Sequence, residues 1–304
     1  MLLNAGRRMR TTTQFLYFDL YIKIPFDPSI PRSAFFLPER YGIIMDRKKG
    51  CCMKLNDLIV KLEEKYGCTA ACAIVDAKTR ETLALYRENL VFKSASLIKT
   101  PIMFCALEEV EKGALTLDTR IAVQPCHCVG DEAPVIKDGT DVPLSVLLEY
   151  MITDSNNTTT NVLIDYLTMD RVNAFSRSIG LNDTVLRRHM LDYESARQGR
   201  ENHTSAGDML RLYTLLYTGD VLTPFMCETA LPILLRQHDK ELILFADPAR
   251  KAAHKTGGLS DIAHDAGILY NENRTLIYAV LATAPDERQC VALHQELSPQ
   301  VLGL

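Results

Sequence analysis

The chain has 304 residues, 47% of them apolar and 24% charged, the composition of an ordinary soluble globular protein and not of a fibrous, collagen-like or disordered one. No run approaches about 18 consecutive apolar residues, which excludes a spanning helix, and a formal charge of −4 argues against a nucleic-acid binder, which needs a basic face. What remains is a soluble enzyme or binding protein, with enough chain for one large domain or two interleaved lobes.

Residues 1–52 stand apart. They hold 9 Lys+Arg against 4 Asp+Glu, whereas the other 252 hold 25 against 34. Eight of the 22 aromatics lie between Phe15 and Tyr41, and Pro25, Pro28, Pro31 and Pro38 fall within 14 residues, which excludes a long helix there. A secretory signal needs about 7–15 uninterrupted apolar residues, and Asp19 and Lys23 break the best candidate. Gly50-Cys51 lacks the apolar segment that a lipoprotein anchor requires. Met53 opens a good amphipathic start, and Lys48-Lys49-Gly50 can be encoded by an A-rich stretch ending in GG, much like a ribosome-binding site. The segment 1–52 is therefore expected to be an untranslated leader, with the true start at Met53 and one domain over 53–299. Peptides from residues 11–47 in the native protein would overturn this.

From Met53 onward the elements follow in a clear order. Apolar spacing at Leu55, Leu58, Ile59 and Leu62 predicts a helix to Tyr66. Strands follow at Thr69–Asp76 and Thr82–Tyr86, joined by a turn through Ala77-Lys78-Thr79-Arg80. From Ser96 to about Leu235 the pattern is mainly helical, as at Leu144–Thr153, Asn161–Leu167 and Ala206–Tyr217. Strands return at Lys251–Thr256, Ala263–Tyr270 and Thr275–Thr283, and a helix closes the chain near Glu287–Leu297. The expected fold is mixed α/β (α+β): a five-stranded antiparallel sheet with an all-helical lobe, about 96–235, inserted into it.

The seven cysteines beyond the leader are an odd number without an export signal, which points to reduced thiols in a cytoplasm. Cys126-His127-Cys128 has no second cluster at ligand spacing and reads as a loop with small buried thiols. No metal site is expected.

Three short motifs sit at the joints of this layout. Ser96-Leu97-Ile98-Lys99 follows the second strand, where the chain turns into a helix. A spacing of three puts both side chains on one face, and a lysine of lowered pKa can take the serine proton. Alone, Ser-x-x-Lys is expected about once by chance in a chain this long. Ser155-Asn156-Asn157 is equally common, and by itself is a turn and helix cap. Lys255-Thr256-Gly257 is rarer, and by itself is a strand ending at a glycine turn. Their order, with separations of 59 and 100 residues, cuts the chance well below that of any one of them.

Together the motifs resemble those of penicillin-binding proteins and class A β-lactamases, with Asn156 where that set has aspartate. The resemblance runs from about Met53 to Leu297, and Phe92 and His264-Asp265-Ala266-Gly267-Ile268 share it. It implies a β-lactamase-like fold and a serine hydrolase that needs no cofactor. Ser96 would be the nucleophile, Lys99 its base, and Ser155 the group passing a proton to the leaving nitrogen. Asn157 would hold the substrate amide, and Lys255 with Thr256 its carboxylate. The backbone N–H groups of Ser96 and Gly258 would form the oxyanion hole. The partner is then a small β-lactam or acyl-peptide, with no nucleic acid and no membrane span, and antibiotic resistance is the corresponding role.

Class A enzymes also carry a glutamate that hydrolyses the acyl-enzyme, on a loop that here is Leu186–Ser205. Counting back without gaps from Asn202-His203-Thr204-Ser205, Arg187 fits the loop arginine, Asn202 stands in its partner's slot, and the glutamate's slot holds His189. Gapped alternatives offer Asp192 or Glu194. Two readings follow: an enzyme that opens and releases β-lactams or a related amide or ester, or a protein that is acylated and left occupied, as a trap or sensor. A D-Ala-D-Ala peptidase lies between them.

Overall fold

The computed structural model describes residues 49–304 except residue 221, with side chains from Leu55 onward. The leader and its features up to Lys48, the Cys51 and Cys52 thiols and the Met53 side chain lie outside the described residues.

Helix α1 (Lys49–Tyr66) leads into β1 (Thr69–Asp76) and β2 (Thr82–Tyr86). The turn between these strands forms because Asp76 Oδ1 accepts from the backbone N–H groups of Lys78 and Thr79, at 2.9 and 2.8 Å. The short strand β3 (Val91–Lys93) and a 3-10 turn (Ala95–Ile98) then deliver α2 (Lys99–Glu111). Strands β4 (Arg120–Ala122) and β5 (Asp141–Pro143) precede α3 (Leu144–Thr153), α4 (Asn157–Leu167), α5 (Met169–Ser178) and α6 (Tyr193–Arg197). Strand β6 (His203–Ser205), α7 (Ala206–Thr218) and α8 (Pro224–Leu235) complete this lobe. Strands β7 (Ala252–Leu259), β8 (Ile262–Tyr270), β9 (Thr275–Thr283) and helix α9 (Glu287–Leu302) close the chain.

The main sheet has the order β2-β1-β9-β8-β7, antiparallel throughout. Successive residues of a strand point to opposite faces, and here both faces are covered. Ala71, Ala73, Ile277, Ala279 and Leu281 face the helical lobe, while Ala70, Cys72, Leu276, Tyr278 and Val280 face the side closed by α1 and α9. That is why β1 and β9 read as nearly continuous apolar runs instead of alternating ones. Helix α2 is buried at every position from Lys99 to Leu107, the mark of a helix at the centre of a lobe.

Several bounds differ from the sequence expectation for identifiable reasons. Helix α4 starts at Asn157, not Asn161, because the Asn156 side chain accepts from Thr159 N–H at 2.8 Å and caps it. Strand β7 runs past Thr256 to Leu259, because Gly257 and Gly258 keep pairing with His264 and Ala263 on β8. The three-residue strands β3, β4, β5 and β6 were not anticipated, since a period of two cannot be seen in so few residues. None of the seven cysteines from Cys68 onward forms a disulfide, but Cys126 is exposed and Cys128 only half-buried, contrary to the buried thiols expected. His127, between them, is the buried one. Among the described residues no helix is long and apolar enough to cross a membrane.

Candidate active site

The three motifs converge. A cleft of about 700 Å³ between the sheet edge and the helical lobe is lined by Ser96, Ser155, Asn157, Thr256 and Gly258, among others. Ser96 arrives on the 3-10 turn. Strand β7 passes close beside it: a Cβ on Gly257 would come within 3.0 Å of Ser96 N and 3.2 Å of Ala95 Cβ, so only glycine lets the strand approach this near. Ala95, Ser155 and Leu191 all line the cleft with positive φ (45, 54 and 60°). Such angles cost a non-glycine residue about 1–3 kcal/mol each and gather where a side chain must be held in one orientation.

Lys99 and Lys255 are both fully buried. Lys99 Nζ donates to Ser155 O at 2.5 Å, Ser155 Oγ at 3.2 Å and Asn157 Oδ1 at 2.9 Å, which uses its three protons. Lys255 Nζ reaches the same Ser155 Oγ from the other side at 3.1 Å and donates to Thr256 O at 2.7 Å. Two ammonium groups thus share one hydroxyl. Burial drives the Lys99 pKa well below its usual value, the Lys255 charge adds to this, and Asp131 opposes it. Burial also lowers Lys255, to about 8, against the opposing charges of Asp239 and Asp265. Thr256 Oγ1 accepts from Gln237 Nε2 at 3.0 Å.

His264 and Phe92 support this corner, their rings meeting edge to face at 5.6 Å. His264 Nδ1 lies 2.9 Å from Ala263 O and 3.1 Å from Ala282 N, and Nε2 lies 2.9 Å from Lys93 O, so backbone groups hold the ring on both sides. Burial lowers the His264 pKa to about 4 and keeps the ring neutral.

Sequence reasoning missed Asp131. Asn156, in the aspartate position of the motif, is buried and donates through Nδ2 to Asp131 O at 2.5 Å. The carboxylate at the start of α4 comes from Asp131 itself, which accepts from Asn157 N–H, from Thr158 N–H at 3.0 Å and from Thr158 Oγ1 at 2.6 Å. This is favourable at the positive end of a helix. No local pattern marks a loop residue that far upstream.

The loop over 186–205 corrects the expectations placed on it. Arg187 is exposed, with Nη1 3.0 Å from His203 Nδ1. The inward arginine is its neighbour Arg188, which is buried and pairs with Glu201 at 2.7 and 2.8 Å. Breaking such a buried pair costs about 3–5 kcal/mol, whereas the Arg197–Glu194 pair is exposed and screened by solvent. Arg188–Glu201 therefore holds the loop. Asn202 is clamped to the backbone instead, accepting from Arg187 N–H and Arg188 N–H at 2.7 and 3.0 Å.

None of the three proposed bases lines the cleft. His189 Nε2 turns to Asp165 Oδ1 at 2.6 Å, Asp192 caps α6 by accepting from Ser195 N–H, and Glu194 is taken by Arg197 and Gln198. The loop side chains that do line it include Met190, Leu191, Tyr193 and the paired Glu201. Met190 is pinned there by Asn161, whose Oδ1 accepts from Met190 N–H at 2.7 Å and whose Nδ2 donates to Met190 O at 3.4 Å.

Asp165 also faces His127 Nε2, at 3.1 Å, and with Cys126 the three gather donor atoms within 4.8 Å. A metal-bound imidazole donates its other N–H. Here His127 Nδ1 accepts from Gln124 N–H at 3.0 Å, which puts the proton on Nε2, so the donor set does not suit a metal.

The family model described as Beta-lactamase enzyme family matches residues 54–303. Among solved structures, PBP-A is similar at 25% identity and a TM-score of 0.73, over 82% of this chain and 96% of that one. A single-site variant of PBP-A, described as an acyl-enzyme complex with penicillin G, is similar at 25% identity and a TM-score of 0.72, over 81% and 95%. A β-lactamase from Sphaerobacter thermophilus is similar at 26% identity and a TM-score of 0.72, over 82% and 96%. No curated protein matches the chain.

Proposed function

The chain belongs to the β-lactamase enzyme family and is a serine hydrolase of the class A type, and from that premise we infer that it is readily acylated at Ser96 but releases the acyl group slowly. In this reading Lys99 loses a proton, leaves one of its acceptors and takes the proton of the Ser96 hydroxyl. Ser96 Oγ then attacks the carbonyl carbon of a β-lactam or a related acyl-peptide. The oxyanion forms against the backbone N–H groups of Ser96 and Gly258, where one donor is typically worth about 2.7–4 kcal/mol. As the C–N bond breaks, Ser155 Oγ passes its proton to the leaving nitrogen and regains one from the lysine pair. Lys255 and Thr256 hold the substrate carboxylate, and Asn157 its amide.

Acylation needs nothing from the loop over 186–205. Deacylation needs a base beside the ester to activate a water, and the observation that carries the reading is that Met190, and none of His189, Asp192 and Glu194, is among the loop residues lining the cleft. A thioether accepts no proton at working pH. Glu201, the one loop carboxylate lining the cleft, is committed to Arg188.

Intact-mass spectra recorded over time with a chromogenic cephalosporin test this. One stoichiometric adduct persisting for many minutes, and lost in Ser96→Ala, is expected. Coloured product over many turnovers without an adduct would show that the site holds a working base and would overturn slow release.

A further inference from the structure

One end of the cleft carries negative charge that the mechanism does not use. Asp239 lines the cleft beside Gln237 and Gly258. Glu287, in the first turn of α9, lies against Gly258, which lines the cleft: a Cβ there would come within 2.7 Å of Glu287 Oε1, so the missing side chain leaves room for this carboxylate beside the cleft's edge. Burial raises the Glu287 pKa, and Asp239 and then Asp286 add to it, which places the two carboxylates in each other's field.

The nearby cations are committed elsewhere. Arg288 holds Asp286, Lys93 holds Asp261 and His238 lies 3.3 Å from Asp154, while Lys240, 3.1 Å from His254, and Lys255 feel the Asp239 charge without an ion pair to it. Among the described residues neither Asp239 nor Glu287 forms an ion pair. An independent observation comes from Gln237, which is 3% exposed and spends Nε2 on Thr256 while Oε1 has no partner. A buried acceptor left unpaired is destabilising and suits a ligand that brings a donor or a positive charge.

We propose that Gln237, Asp239 and Glu287 form a cation subsite at the leaving-group end of the cleft. Its ligand is a substrate bearing an ammonium or other cationic group close to the carboxylate held by Lys255 and Thr256. The proposal rests on the acylation of Ser96 inferred above. Carboxylates without an ion-pair partner beside a carboxylate-binding lysine would otherwise weaken the binding of every anionic substrate, and a zwitterionic leaving portion satisfies both.

The test uses two cephalosporins with the same 7-acyl group, one with a 3-pyridiniummethyl and one with a neutral 3-acetoxymethyl substituent. The second-order rate of Ser96 labelling is measured by intact mass and divided by each probe's rate of hydroxide hydrolysis. The pyridinium probe is expected to label about five- to tenfold faster at low ionic strength, and the advantage should shrink in about 0.5 M salt. In the double variant Asp239→Asn, Glu287→Gln the ratio of the two rates should fall toward one. Equal rates in the unmodified protein, or a preference that survives the double variant, would overturn the subsite while leaving acylation standing. Failure of both probes to label Ser96 would overturn the acylation reading and the subsite with it.

Discussion

Replacing Met190 by glutamate is expected to turn a long-lived acyl-enzyme into one that turns over, with deacylation accelerated about 10²-fold or more, within the usual range for a positioned general base. The position suits the experiment because Asn161 fixes the Met190 backbone through both N–H and C=O, so a new side chain enters from a held frame. Met190 is 7% exposed, and a carboxyl there is partly desolvated, which raises its pKa toward the range where it serves as a base. The same desolvation lowers stability by about 1–3 kcal/mol, so the thermal melt of the variant should be followed alongside its activity. Met190→Gln separates polarity from basicity: it should hold a water without accelerating release. If the glutamate variant folds, is acylated, and releases its adduct no faster than the parent, Met190 does not limit turnover.

Removing the Lys99 amine should slow acylation of Ser96 by about 10²–10⁴-fold. Lys99→Ala also takes one of two ammonium donors from Ser155 Oγ, leaving the Lys255 contact at 3.1 Å, so loss of rate alone does not distinguish a base from a support. The pH profile does. Lys99 accepts a proton only when neutral, and its pKa lies well below the usual value, so the acylation rate rises with pH as it deprotonates. Lys255 binds a carboxylate only when charged and loses its proton near pH 8, so the rate falls above that. The parent should show both limbs, and Lys99→Ala should lose the rising one while keeping the fall near pH 8. An alanine variant within tenfold of the parent, with the rising limb intact, would place the base elsewhere.

These two experiments fall on opposite sides of what the sequence made legible. The bounds of β1, β2, β9 and α3 follow from local periodicity, because long apolar runs and helical spacing survive without knowledge of neighbours. The Ser96–Lys99, Ser155–Asn157 and Lys255–Gly257 motifs are equally local, and their order along the chain was enough to identify the family. Even the modest reading of Ser155-Asn156-Asn157 as a helix cap is realised in Asn156, in the same three residues that place Ser155 between the lysines.

The loop over 186–205 was not legible in this way. Arg187 and Arg188 are adjacent and chemically identical, and only packing against Glu201 decides which one turns inward. That single-residue slip moves the cleft-facing position from His189 to Met190. Asp131, Asn161 and Gln237 likewise carry no signal of their own. Their roles arise because the fold closes 19 to 29 residues of chain onto one cleft. The sequence by itself therefore determined the family and the sheet, and pointed to Ser96 as the candidate nucleophile, since these rest on covalent spacing and local hydrophobic period. Which loop side chain lines the cleft was decided only by tertiary structure, because burial and long-range contact choose among neighbours that the sequence treats alike.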